Sequence, residues 1–290
     1  LVTPLTNYVA GVSGSSITKQ IANMHTLFNI STTILLIPFG NYLAKLATKI
    51  LPEKEEEKEH HKHLKYIKSV DTRVDATFGT SAINLQNLRN EIQRMLEMAR
   101  VNVDESFDAF LAGSSKSLDD VDKREDYIDY LNKEISRAAA KMMAHEANVK
   151  ASKNIGSYLD MTSNIERIGD HAENFADYTK TELKHNTGLT GDAKEEIKKM
   201  YEAVSKLLKL SLESFMAQDG VNTQEDKLAE IAALEASIDK MERRYQKHHI
   251  KRLAKGDCEP RAGLLFSDML SELERIADHS VNIAYSMSDE

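Results

Sequence analysis

Cysteine is nearly absent from this chain. Cys258 is the only one, which excludes a disulfide framework and fits a reducing compartment. Runs of alternating apolar and polar residues are lacking, which argues against a β-sheet. No serine or cysteine stands beside a base in a recognisable catalytic setting, which argues against a nucleophile-based enzyme. Positive charge is in deficit: 38 Lys and Arg face 46 Asp and Glu, for a net charge of −8. Nucleic acid is therefore not expected as a main partner, because a phosphate backbone needs a basic face. Proline is scarce, and three of the four, Pro4, Pro38 and Pro52, fall near the N-terminus. A composition of 29% charged and 41% hydrophobic residues describes solvated helical bundles rather than a polytopic membrane protein.

What is present is a phrase that occurs twice. Residues 160–176 read DMTSNIERIGDHAENFA and residues 268–284 read DMLSELERIADHSVNIA. Glu166, Asp170, His171 and Asn174 map onto Glu274, Asp278, His279 and Asn282 at a constant shift of 108. A second pair lies upstream, with Glu125 and Asp129 in EDYID matching Glu235 and Asp239 in EASID. Further upstream, EIQRMLE at 91–97 resembles EIKKMYE at 196–202. Each repeat thus holds three segments in the same order.

The apolar spacing within them is helical. Ile165, Ile168, Ala172 and Phe175 form one stripe, Leu273, Ile276 and Ile283 its counterpart, and Ile128, Leu131, Ile135 and Met142 another. Turns are expected at Gly113, between Gly188 and Gly191, at Gly220, and at Gly256 with Pro260. The expected fold is all-α: one transmembrane helix, then two tandem three-helix bundles joined end to end, over 69–187 and 188–290.

The N-terminal part differs. Leu27–Leu51 contains no acid and only two charges, Lys45 and Lys49. As a helix it would span roughly 37 Å, against about 30 Å of bilayer hydrocarbon. Its polar residues, among them Asn29, Thr32 and Asn41, suit a helix packed within a larger membrane bundle. A buried soluble helix kinked at Pro38 is the alternative. Residues 1–51 are read as the end of a membrane domain, and the chain as the tail of a longer protein. Residues 52–68 read as a charged linker, and Lys45, Lys49 and Lys54 favour a cytoplasmic exit, placing 52–290 inside the cell. The His60, His61 and His63 group is better explained as a solvated charged segment than as a metal site. Glu57/His60 and Glu182/His185 have the Glu-x-x-His spacing but no mates in the other repeat, which weakens a di-iron enzyme reading.

Each Glu and Asp pair is spaced i, i+4 and shares a helix face. If the second and third helices of each repeat pack side by side, two sets of carboxylates converge. One set is Glu125, Asp129, Glu166 and Asp170; the other is Glu235, Asp239, Glu274 and Asp278. Like charges so placed must protonate or take up cations, and carboxylate oxygens suit hard cations. Surface ion pairing, with Arg167 and Arg275 as partners, is the alternative. His171 and His279, about 100° further round the helix, suit packing better than ligation.

The two Glu-x-x-x-Asp copies, ERIGD and ERIAD, each followed by His and Asn, resemble the signature of the PhoU family. That resemblance covers 69–290 and implies two three-helix bundles, multinuclear clusters of iron or zinc on these motifs, with manganese admitted by the carboxylate donors, and regulation of phosphate uptake. The stretch from His25 to Phe39 is similar to the closing segment of bacterial sodium/phosphate cotransporters, some of which carry a PhoU-like domain at the C-terminus. The expectation is the C-terminal portion of such a transporter in the bacterial inner membrane. Its partners would be sodium and phosphate through a transport region upstream of Leu1, and a homo-oligomer is compatible with it. The alternative is a PhoU-like regulatory protein that docks on a transporter without transporting itself.

Overall fold

The computed structural model describes residues 11, 17–36, 39, 62–67, 80–146, 148–185, 187–216 and 221–286. The chain forms two compact units, Leu1–His61 and Lys62–Glu290. Seven long helices and no strand occur among the described residues.

In the first unit, helix α1 spans Ile17–Leu36. Among the described residues no helix is long and apolar enough to cross a membrane. Of the expected span, Leu27–Leu36 falls within this helix, and no span is borne out among the described residues. The helix begins ten residues before Leu27, and that extra length brings in Lys19, Gln20, Asn23 and His25, which dilute its hydropathy. The rest of the expected span, residues 37–51 apart from Phe39, lies outside the described residues. So do 52–61 of the expected linker.

The second unit holds six helices: α2 (Thr80–Ala112), α3 (Leu118–His145), α4 (Val149–His185), α5 (Gly191–Met216), α6 (Val221–Lys255) and α7 (Pro260–Tyr285). Helices α2 and α6 end alike. Gly113 and Gly256 adopt φ of 60° and 77°, which a side chain disfavours. The amides of Gly113 and Ser114 return to the carbonyls of Phe110 and Ala109, and those of Gly256 and Asp257 to Leu253 and Arg252. These paired bonds satisfy the last carbonyls of each helix. Pro260 opens α7, where a missing N–H costs nothing.

Within each repeat the three helices pack on one another, α2–α4 in one and α5–α7 in the other. The bundles are not merely joined end to end. Helix α4 packs along α7 and α2 along α5, and one hydrophobic core runs through all six helices. Aromatic rings make the junction: Phe107 stacks on Tyr201 with centroids 3.6 Å apart, and Tyr158 meets Phe215 edge-on at 6.5 Å. Apolar faces left open by each three-helix layer are thereby covered.

Residues 62–67, expected within the linker, lie on the first bundle as a strap. Ile67 is buried. The fully buried Glu91 accepts the backbone amides of Lys65 and Tyr66 at 2.8 and 2.7 Å. Arg94 and the Tyr127 hydroxyl donate to the His63 carbonyl. Lys62 donates to the Asp126 carbonyl. Helices α2 and α3 therefore hold the strap mainly by its backbone.

Candidate metal centres

Helices α3 and α4 bring the first acidic pairs face to face. One carboxylate oxygen each from Glu125, Asp129 and Asp170 lie within 4.8 Å of one another. Helices α6 and α7 do the same with Glu235, Asp239 and Asp278. Three of the four expected residues thus converge in each bundle. Glu166 and Glu274 stand outside the triads, one helical turn before Asp170 and Asp278, but inside their electrostatic field. Glu166 is raised by burial and then by Asp170 and Asp129; Glu274 is raised by burial, Asp278 and Asp239.

Glu125 is the centre of the first cluster. It is 5% exposed, and neither carboxylate oxygen has a hydrogen-bond partner. Burial first, then Asp170, Asp129, Glu173 and Glu166, push it up to about 9. Asp170 is raised by burial and by Asp129. In the second cluster Glu235 is raised by burial, Asp239 and Asp278, and Asp278 by burial and Asp239. The single cause behind these shifts is carboxylates crowded together in a partly desolvated seam.

A buried acid with two unpartnered oxygens costs stability unless something satisfies it. The donors are all oxygens, which matches hard or borderline cations such as manganese and iron. The residues present fit such an ion, with Glu125, Asp129 and Asp170 as one set of holders and Glu235, Asp239 and Asp278 as the other.

Two residues that shape these clusters escape a search for acidic pairs. A Cβ on Gly169 would fall on Glu125 Oε2 and come within 2.9 Å of its Cδ, so the glycine leaves room for the carboxylate. In the second cluster Arg243 donates to Asp239 at 2.6 Å. Gly169 was readable as the one small residue in ERIGD, and Arg243 from its i, i+4 spacing to Asp239.

His171 and His279 stand where α4 meets α7. Their rings lie parallel, 5.5 Å apart. His171 Nδ1 bonds Glu272 Oε2 at 2.6 Å, and His279 Nδ1 bonds Asn164 Oδ1 at 2.9 Å. Burial, then His171, Arg167 and Arg275, lower His279 to about 4, so it is neutral. Neither ring belongs to a triad. Glu182, noted for its spacing to His185, instead accepts the amide and hydroxyl of Thr187 at the turn between repeats.

A doubled three-helix bundle with an acidic cluster in each half defines a class of duplicated helical proteins. Residues 92–179 and 197–287 match the PhoU domain, and the chain belongs to the PhoU domain family. That family is regulatory and non-enzymatic. The chain is 24% identical over 205 residues to a phosphate-specific transport system accessory protein PhoU homolog of Clostridium acetobutylicum, covering 70% of this chain and 90% of the relative. A homolog from Thermotoga maritima is 22% identical over 197 residues, covering 68% and 82%. Among solved structures, the phosphate transport system regulatory protein PhoU of Streptococcus pneumoniae superposes with a TM-score of 0.63 at 20% identity, covering 72% of this chain and 98% of that one. PhoU from Pseudomonas aeruginosa gives 0.64 at 20% identity, covering 72% and 99%. These likenesses concern the fold.

Proposed function

We propose that the chain is an accessory regulator of phosphate uptake, acting at the cytoplasmic face of a transport system and holding cations at its two carboxylate clusters. The curated relatives are accessory proteins of phosphate-specific transport and match over most of their own length, which favours a docking regulator over the transporter tail. The observation that carries the metal reading is Glu125, buried with both oxygens unsatisfied beside Asp129 and Asp170. Manganese is the candidate that the carboxylate donors favour; iron and zinc are those that the PhoU resemblance implies. A bound cation would supply the positive charge that lets the carboxylates sit together ionised. The chain's own part is to hold six oxygens' worth of side chains on four helices at fixed spacing. Elemental analysis after mild purification tests this: the expected result is bound transition metal, lost on changing Asp129, Asp170, Asp239 and Asp278 to Asn. A folded protein that takes up none of the three metals overturns it. For the regulatory role, removing the chain from its host is expected to leave phosphate uptake measurable but no longer tuned to internal phosphate. Unaltered tuning overturns that role.

A second reading keeps the first unit as the end of a sodium-coupled transporter. Its support is the apolar surface of α1, where Ile21 and Phe28, two turns apart on one face, are each more than half exposed. A lone soluble helix rarely leaves such residues open. Fractionation of the native protein decides between them: recovery in the washed membrane fraction, resistant to high salt and carbonate, supports the transporter tail, and release by salt supports the docking regulator.

A further inference from the structure

We propose that the two carboxylate clusters are unequal, and that Gly169 and Arg243 make them so: the first cluster is built to hold a cation tightly, the second weakly. This rests on the metal reading above and adds an order to it.

Three differences set the clusters apart. The first concerns space. The repeats align at a shift of 108 through ERIGD and ERIAD, so Ala277 stands where Gly169 does. Gly169 carries no Cβ, and the Glu125 carboxylate lies over the vacant position. Ala277 is buried and brings a methyl group to the equivalent place. The second difference follows from the first. Glu125 is 5% exposed, whereas its counterpart Glu235 is only partly buried. A buried ligand is screened less and held in fewer rotamers, so it attracts a cation more strongly and loses less freedom on binding.

The third difference is charge. Asp239 already holds the Arg243 guanidinium at 2.6 Å. At the matching position of the first repeat, Lys133 makes no ion pair with Asp129 among the described residues, and Asp129 has no cationic hydrogen-bond partner. A cation entering the second cluster must displace a positive group or bind beside it. One entering the first meets carboxylates that, among the described residues, no cationic side chain pairs with. With the carboxylates ionised, all three differences act in the same direction.

Manganese(II) titration of the full chain, stripped of metal and followed by calorimetry with elemental stoichiometry, tests the order. The expected result is two classes of site that differ at least tenfold in affinity. Gly169→Ala should weaken the tighter class by tenfold or more and leave the weaker class alone, because the new methyl pushes the end of a flexible side chain aside. Arg243→Gln should strengthen the weaker class severalfold. Arg243 is exposed, so this variant reads the proposal without risk to the fold. Manganese bound in a single class, or an unchanged weaker class in Arg243→Gln together with an unchanged tighter class in Gly169→Ala, overturns the inequality while leaving the metal reading intact. No manganese bound at all overturns both.

Discussion

Glu125 shows how one buried acid sets the behaviour of the metal-free protein. Its folded value of about 9 lies far above the ordinary carboxyl range. The folded chain therefore keeps a proton that the unfolded chain releases. Such a group favours folding fully below its unfolded value and loses that effect as pH rises toward 9. Metal-free protein should melt higher at pH 5 than at pH 8. With each pH unit between the two values worth at most about 1.4 kcal/mol, the Glu125 share over that window is a few kcal/mol at most. Glu125→Gln should flatten the dependence and raise the pH 8 melting temperature, by roughly 2–4 °C per kcal/mol in a unit of this size. A pH profile of Tm unchanged by the substitution would show that Glu125 is ionised in the fold. Metal has the opposite sign: uptake at the first cluster should release a proton near neutral pH, visible as buffer-dependent heat. Of this site, the acids were legible, because i, i+4 carboxylates repeated at one shift are a local pattern. The vacancy over Gly169 was not, since it depends on how closely α3 approaches α4. The pairing of Arg243 with Asp239 was legible as an i, i+4 pair, but its effect on the second cluster depends on how α6 meets α7.

At the scale of elements, helices were the clearest part of the sequence. The stripes through Ile128, Ile165 and Leu273 are buried except at Met142, which is half-buried, and Gly113, Gly256 and Pro260 mark real ends. The strap at 62–67 was hidden. HHKHLKYIK looks like solvated linker, and nothing local reveals that Glu91, on a helix further along, binds its amides. Glu91→Ala would leave two amides without their acceptor, each loss worth about 1–3 kcal/mol if the groups stay buried, and would take the ion-pair partner from Arg94. The expected outcome is local release: faster proteolysis after Lys62 and Lys65 with helix content nearly unchanged. Equal cleavage rates in the two proteins would show that the strap does not depend on Glu91. Phe107 tests the seam between bundles. It touches Phe110, Phe175 and Tyr201. Phe107→Ala should cost about 3–5 kcal/mol, read by denaturant titration, and lower the stability of both bundles together.

Over the whole second unit, one core shared by six helices implies one cooperative transition. Two separated calorimetric peaks for metal-free residues 62–290 would contradict that. The duplication was plain from sequence; the packing of the halves was not, because a repeat shift records order along the chain and not which faces meet. Those faces obey a rule of their own. His171 meets His279, its own counterpart at the shift of 108. His171 also reaches Glu272, while His279 reaches Asn164, and Asn164 and Glu272 are again counterparts at 108. Residue i of one half touches j of the other, and j touches i. This is the contact pattern of an isologous two-fold dimer, written within a single chain. The seam between α4 and α7 thus has the symmetry of a dimer, broken where Asn164 in one half stands for Glu272 in the other.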